Sequence, residues 1–183
     1  MPNIELGLRH VLPWFLPGTF VAVVLGAALA RPLGRLLRVR AAIAWALVIT
    51  FGMIVSATLT PLHGLFNPAA IGGTCDFSRM GLAPLRDVSH LGDTSLNILL
   101  FVPFGMTIGV VPGRRQKAIL VILAIALPFM IETVQLLVPA IERGCQSADV
   151  FDNLTGLVIG LAIGALGLWL AGTASADAPG SPS

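Results

Sequence analysis

The chain has 183 residues, of which 56% are hydrophobic and only 11% charged, with a formal net charge of +2. Its mean hydropathy is +0.91. A soluble domain carries roughly a quarter charged residues, so this composition excludes a protein wetted over its whole surface.

The charges are clumped, with long uncharged stretches between them. A bilayer core needs about 20 apolar residues per crossing helix, and five stretches meet or approach that length: 11–30, 41–60, 94–111, 118–139 and 150–171. The third is the shortest and contains Pro103. No ten-residue alternation of the kind a membrane strand shows is present. The expected fold is therefore all-α, a polytopic transmembrane bundle of about five helices.

The first stretch follows Glu5 and Arg9 and ends in Ala28-Leu29-Ala30, which resembles the small-residue end of a signal peptide. Pro13 and Pro17 are unusual in such a segment. Cleavage there would also leave the following arginines outside, so the stretch is read as a span. The loop after it holds Arg31, Arg35, Arg38 and Arg40 without an acid. The loop after the third span holds Arg114, Arg115 and Lys117, again without an acid. Short loops rich in Lys and Arg stay cytoplasmic, and in a five-helix chain these two loops fall on one side. The N-terminus and the loops 62–93 and 140–149 are then expected outside, and the C-terminus inside. Residues 172–183, rich in Ala, Ser, Gly and Pro, are expected to form a disordered cytoplasmic tail.

Cys75 and Cys145 both fall in outside loops, where a disulfide can persist. Such a bond would tie the long loop to the short one; two free thiols are the alternative. His63 and His90 share the long loop with Asp76, Asp87 and Asp93, but the spacing fits no metal template. No metal and no cofactor are expected.

The polar residues within the spans carry the functional reading. Glu132 lies in the fourth span about 10 Å from its outer end, counted at 1.5 Å per residue. A carboxyl group there costs about 2.5 kcal/mol or more unless paired or facing a watery cavity. Gln135 follows at i+3 on the same face. On the last span Asp149, Asp152, Asn153 and Gly156 form one stripe that continues into Gly160 and Gly164. Asn97 opens the third span, and Arg143 lies between the fourth and fifth. Polar groups from three helices thus reach one depth. Structural roles compete with a functional one: Asp149 and Asp152 as helix-end acids, Glu132 and Arg143 as an ion pair, Asn97 as a clamp between helices. The three glycines form a small-xxx-small ridge suited to close helix packing, within the chain or between two copies.

These same residues carry a resemblance. The run Asn97-Ile98-Leu99-Leu100-Phe101-Val102-Pro103-Phe104-Gly105 resembles the N-x-x-x-F-x-P-F-G signature of the VanZ-like family. Glu132 and Gln135 resemble its E-x-x-Q pair. Arg143 followed by Asp149, Asn153 and Gly156 resembles its R…D-x-x-x-N-x-x-G closing motif. Leu82-Ala83-Pro84-Leu85 is weakly similar to an L-I-P-F element upstream. The chain departs from the pattern at Gln146, where the family often has a second acid. The expected organisation is residues 1–81, two helices and an outside loop; 82–171, the VanZ-like three-helix region; and 172–183, the tail.

The family is named for a membrane protein associated with low-level resistance to teicoplanin, a lipidated glycopeptide. The resemblance implies a protein of the bacterial cytoplasmic membrane that works at the outer leaflet with an envelope lipid or an amphiphilic glycopeptide-type ligand. The expected ligand-binding residues are Asn97, Glu132, Gln135, Arg143, Asp149 and Asn153. Expected partners are membrane lipids, a lipid-linked or lipoglycopeptide ligand, and a second copy through Gly156, Gly160 and Gly164, with no nucleic acid. The competing class is an intramembrane enzyme on a lipid headgroup, with Glu132 or Asp149 as general base and Arg143 on a phosphate. No nucleophile–base pair or phosphate loop favours it, and a non-catalytic role is preferred.

Overall fold

A computed structural model of the chain describes residues 13–62, 73–89 and 92–176, with backbone alone for 174–176. Among the described residues it is all-α apart from one two-residue strand pair. Five long helices follow in order: α1 (Phe15–Leu37), α2 (Ala41–Thr58), α4 (Asp93–Gly109), α5 (Arg114–Leu137) and α6 (Ser147–Ala176). A short helix, α3 (Leu85–Ser89), lies in the loop between α2 and α4. Within the described residues, α1, α2, α5 and residues Ser147–Thr173 of α6 are long and apolar enough to cross a membrane. At 17 residues α4 spans about 26 Å, just short of a hydrocarbon core about 30 Å thick.

The helix ends follow from local chemistry. Helix α1 runs unbroken through Ala30 and Arg31 and tolerates Pro32, then closes on Arg38 in the left-handed region (φ 56°). Helix α5 stops at Leu137 because Pro139 follows, and the residue before a proline is driven out of the helical region. A short 3₁₀ turn (Pro139–Ile141) comes next, and Glu142 at φ 53° reverses the chain into Arg143. At the C-terminus α6 continues to Ala176, so residues 172–176 of the expected disordered tail are helical. The rest of that tail lies outside the described residues, as do His63, His90, Glu5 and Arg9.

Packing begins with two tight pairs. Helices α1 and α2 form a hairpin in which a Cβ on Gly52 would lie 2.3 Å from that of Ala22, and one on Gly18 would overlap Ser56. Helices α4 and α6 run parallel and in register: a Cβ on Gly156, Gly160 or Gly164 would lie 2.1, 2.1 and 2.3 Å from the carbonyl oxygens of Ile98, Val102 and Met106. Gly105 faces Leu157 in the reciprocal direction. The glycine ridge is therefore filled from within the chain, and self-association through it would require α4 to leave. Helix α5 lies against α6 and α4, and α2 against α4. Where they meet, Leu47, Ile54, Phe101, Phe104, Ile108, Ala124, Ile131 and Leu157 form the core. The outer faces remain apolar, with Ile122, Leu123, Phe129, Met130, Val158, Leu166 and Trp169 exposed. Bands of this extent on several helices suit contact with lipid tails rather than water.

The alternating helices put the basic clusters of residues 31–40 and 114–117 at one end of the bundle. At the other end gather the α2 C-terminus, the α5 C-terminus and the N-termini of α4 and α6. There strand β1 (Cys75–Asp76) pairs in parallel with β2 (Cys145–Gln146), Cys75 opposite Cys145. The two cysteines form a disulfide with Cα atoms 4.5 Å apart.

Candidate functional site

A cavity of about 510 Å³ opens at the disulfide end of the bundle. Its polar lining includes Asn97 from α4, Glu132 and Gln135 from α5, Arg143 and Gln146 from the short loop, and Asp149 and Asn153 from α6. All six residues singled out from the sequence thus reach one space. Its apolar lining comes from Phe15 on α1, Met53 and Ala57 on α2, and Leu96, Leu99 and Leu100 on α4. Leu99 and Leu96 are exposed, so the apolar wall is open rather than enclosed.

Each polar side chain is held by its element. Glu132 is 6% exposed, and one carboxylate oxygen accepts the backbone N–H of Gln146 at 2.6 Å. That bond fixes the α5 face against β2 and thus against the disulfide. The same position 146 is where the family pattern often has an acid; here its backbone satisfies Glu132 and its side chain is exposed. Gln135, also 6% exposed, donates Nε2 to the Thr58 carbonyl at 3.0 Å and so joins α5 to the end of α2. Arg143 donates Nε to the Thr60 carbonyl at 2.9 Å. Burial lowers its pKa, with partial compensation from Asp149, but a guanidinium stays charged at any physiological pH. Asn97 sits against the Asp149 carboxyl.

An ion pair between Glu132 and Arg143 does not form: Glu132 turns to a backbone amide and Arg143 to a backbone carbonyl. Asp149 occupies the first turn of α6, where an acid suits the helix dipole, and lines the cavity as well. Asp152 does something the sequence did not signal. It is 1% exposed and pairs with Arg79 of the loop at 2.5 Å, away from the cavity lining. Arg79 also donates to the carbonyls of Ala148 and Gly81, and the Ser147 hydroxyl donates to the Arg79 carbonyl at 2.7 Å. Arg79 went unnoticed in sequence because an isolated loop arginine between Asp76 and Asp87 reads as a solvated charge. Asp152 at i+3 from Asp149 was the available clue.

Several buried polar atoms around the cavity have no partner among the described residues: Gln135 Oε1, Asn153 Oδ1 and Arg143 Nη2. Native interiors leave few such groups unsatisfied. Gln135 is the most informative, since it lines the cavity, its amide nitrogen is already committed to Thr58 and its oxygen is left without a donor. Within the described residues no three His, Cys, Asp or Glu side chains converge in a way that could hold a metal ion.

The family model described as VanZ/LLP1 matches residues 39–169, most of the chain. The matched region starts just ahead of α2, upstream of the three motifs, and runs through α2, α3, α4 and α5 into α6. No curated protein and no solved structure is similar enough to count as a match.

Proposed function

The chain belongs to the VanZ/LLP1 family, and from that premise we propose that it is a five-span protein of the bacterial cytoplasmic membrane that binds an amphiphile at the outer leaflet. The proposed orientation places the Arg31–Arg40 and Arg114–Lys117 loops inside, as short basic loops prefer. The cavity then faces outward at the depth of lipid headgroups. The observation that carries the reading is the divided lining: Glu132, Gln135, Arg143, Asp149 and Asn153 on one side, Phe15, Met53, Leu96 and Leu99 on the other. A polar headgroup with an attached acyl or prenyl chain matches both halves, whereas a small hydrophilic solute would leave the apolar wall wet. Ligand pockets of several hundred Å³ with a few placed polar groups are the usual form of such sites.

The physiological setting that follows is handling of an envelope lipid, or masking of it from an amphiphilic glycopeptide-type drug. Binding is favoured over catalysis because the one hydroxyl of the described lining, Thr58, donates to the Ile54 carbonyl rather than to a base as a nucleophile would. The test is to purify the protein in a mild non-ionic detergent and identify by mass spectrometry what is retained. Wild type is expected to retain an amphiphile that the Asp149→Asn and Gln135→Leu variants, at equal abundance, retain at least about threefold less. Equal retention would sink the proposal. Lipid profiles of cells with and without the protein separate the two classes: a new headgroup species on overexpression would establish the enzymatic alternative.

A further inference from the structure

The charge balance of the cavity is one-sided. Asp93, Glu132, Glu142 and Asp149 line it, against Arg143 as the single basic residue among the described lining. Of the other described cations at that end of the chain, Arg79 is committed to Asp152 and to backbone carbonyls, and Arg86 pairs with Asp87. Clustered acids alone would say little, since they are often solvated. Here a second feature points the same way: the orphaned amide oxygens of Gln135 and Asn153, on side chains 6% and 1% exposed, are acceptors without donors. Gln135 cannot turn its nitrogen into the cavity without giving up its bond to the Thr58 carbonyl.

A site built of carboxyls and amide oxygens wants hydrogen-bond donors carrying positive charge. A compact metal ion does not fit, because the acids of the described residues do not converge to ligand distance. A phosphate monoester would face the carboxyl groups of Asp93, Glu132 and Asp149 with one guanidinium to hold it. An ammonium group supplies three N–H donors and one positive charge at a single point, which suits acceptors arranged around a wider space. Arg143 Nη2, a buried donor of the described lining without a partner, then remains for an anionic group elsewhere on the same ligand.

We infer that the cavity takes a headgroup bearing a primary ammonium, presented to Gln135, Asn153 and the surrounding carboxyl groups, with Arg143 on an anion of the same molecule. This rests on the amphiphile-binding reading above and adds the ligand's chemistry. Aminolipids of the membrane and amine-bearing amphiphilic drugs share that chemistry.

The experiment uses the full chain in dodecyl maltoside and three lysolipids of identical chain length: lysophosphatidylethanolamine, its N-acetylated form and lysophosphatidylglycerol. The expected result is binding of the free amine at least about tenfold tighter than of either other probe. A tenfold difference corresponds to about 1.4 kcal/mol. Asp149→Asn is expected to bring the three probes to within about twofold of one another. If that variant does not fold, Asp93→Asn, at an exposed rim position, is expected to weaken lysophosphatidylethanolamine about threefold and leave lysophosphatidylglycerol unchanged. Equal or tighter binding of the glycerol or N-acetyl probe would overturn the ammonium assignment while leaving amphiphile binding intact. Absence of binding by all three would overturn both. An aminolipid source is indicated if lysophosphatidylethanolamine also outcompetes hexadecylamine, and a drug-type amine if it does not.

Discussion

The residue that changes the picture of this protein most is Arg79. Its partner Asp152 sits inside the bundle at the start of α6, and burying an unpaired carboxylate there would be costly. The hydrogen bond to Asp152 raises the Arg79 pKa against the opposing effect of burial, and the attraction of Asp152, Asp149 and Asp87 adds to it. The pair acts as a bolt: one end is in the loop, the other in a helix that lines the cavity. Removing one partner of a buried pair typically costs about 3–5 kcal/mol, and since Arg79 is a quarter exposed the lower end applies. Arg79→Ala is therefore expected to lower the thermal midpoint of the purified protein clearly. Asp152→Asn is expected to lower it less, because it leaves no buried charge and the partly exposed Arg79 can still donate to the amide oxygen. Combining Arg79→Met with Asp152→Leu should recover most of the loss, since no charge is then left buried. A double variant no more stable than Arg79→Ala would show that the pair is not the source of the effect.

At the scale of elements, two features bind the cavity end together, and they differ in how readily they are read from the sequence. The spacing of Gly156, Gly160 and Gly164 announced a close helix contact, because small residues four apart lie along one helix face. It did not announce the partner: periodicity identifies a face, while the opposing helix depends on how the whole chain folds. That partner is α4, with Gly105 meeting the ridge from the other side. Gly160→Ala puts a methyl group 2.1 Å from the Val102 carbonyl oxygen and is expected to cost about 1–3 kcal/mol by overpacking. Gly167→Ala on the same helix, with nothing within 4 Å, is expected to be neutral or slightly stabilising, because alanine is the better helix former. Thermal unfolding of the two variants in the same detergent checks the contrast. The Cys75–Cys145 bond closes 70 residues, for which a free chain would gain about 4 kcal/mol of loop entropy. Helices α4 and α5 lie inside that loop and keep their structure when tertiary packing is lost in a membrane, so the gain here is smaller. Reduction is expected to lower the midpoint modestly and to raise hydrogen exchange in residues 73–89 more than in any long helix. Unchanged exchange there would mean that Arg79 and Ser147 hold the loop without the disulfide.

The whole molecule shows why hydropathy located the helices better than it located their ends. The stretch 118–139 began four residues after α5 does, because Arg114, Arg115 and Lys117 are poor lipid partners but good helix formers. The stretch 11–30 missed the last two turns of α1 for the same reason, since Arg31 and Arg35 leave the apolar run without leaving the helix. Helical hydrogen bonding does not stop where the hydrocarbon does. The six cavity residues were legible because polar groups within apolar runs stand out, whereas Arg79 and the acids Asp93 and Glu142 lay in loops where charge is ordinary. The same basic clusters that blurred the helix ends supply the last prediction, which concerns orientation. Seven basic residues, Arg31, Arg35, Arg38, Arg40, Arg114, Arg115 and Lys117, sit at the end of the bundle opposite the cavity, and retention of these clusters in the cytoplasm would leave the cavity outside. A cysteine replacing Met80, which is 72% exposed in the disulfide-end loop, should react with a membrane-impermeant maleimide on intact cells. One replacing Pro112, exposed beside the second basic cluster, should react only after permeabilisation. The reverse pattern would place the cavity on the cytoplasmic side and remove outer-leaflet ligands from consideration. Labelling of both on intact cells would mean that the two loops do not lie on opposite faces of one membrane, and the five-span topology would fall.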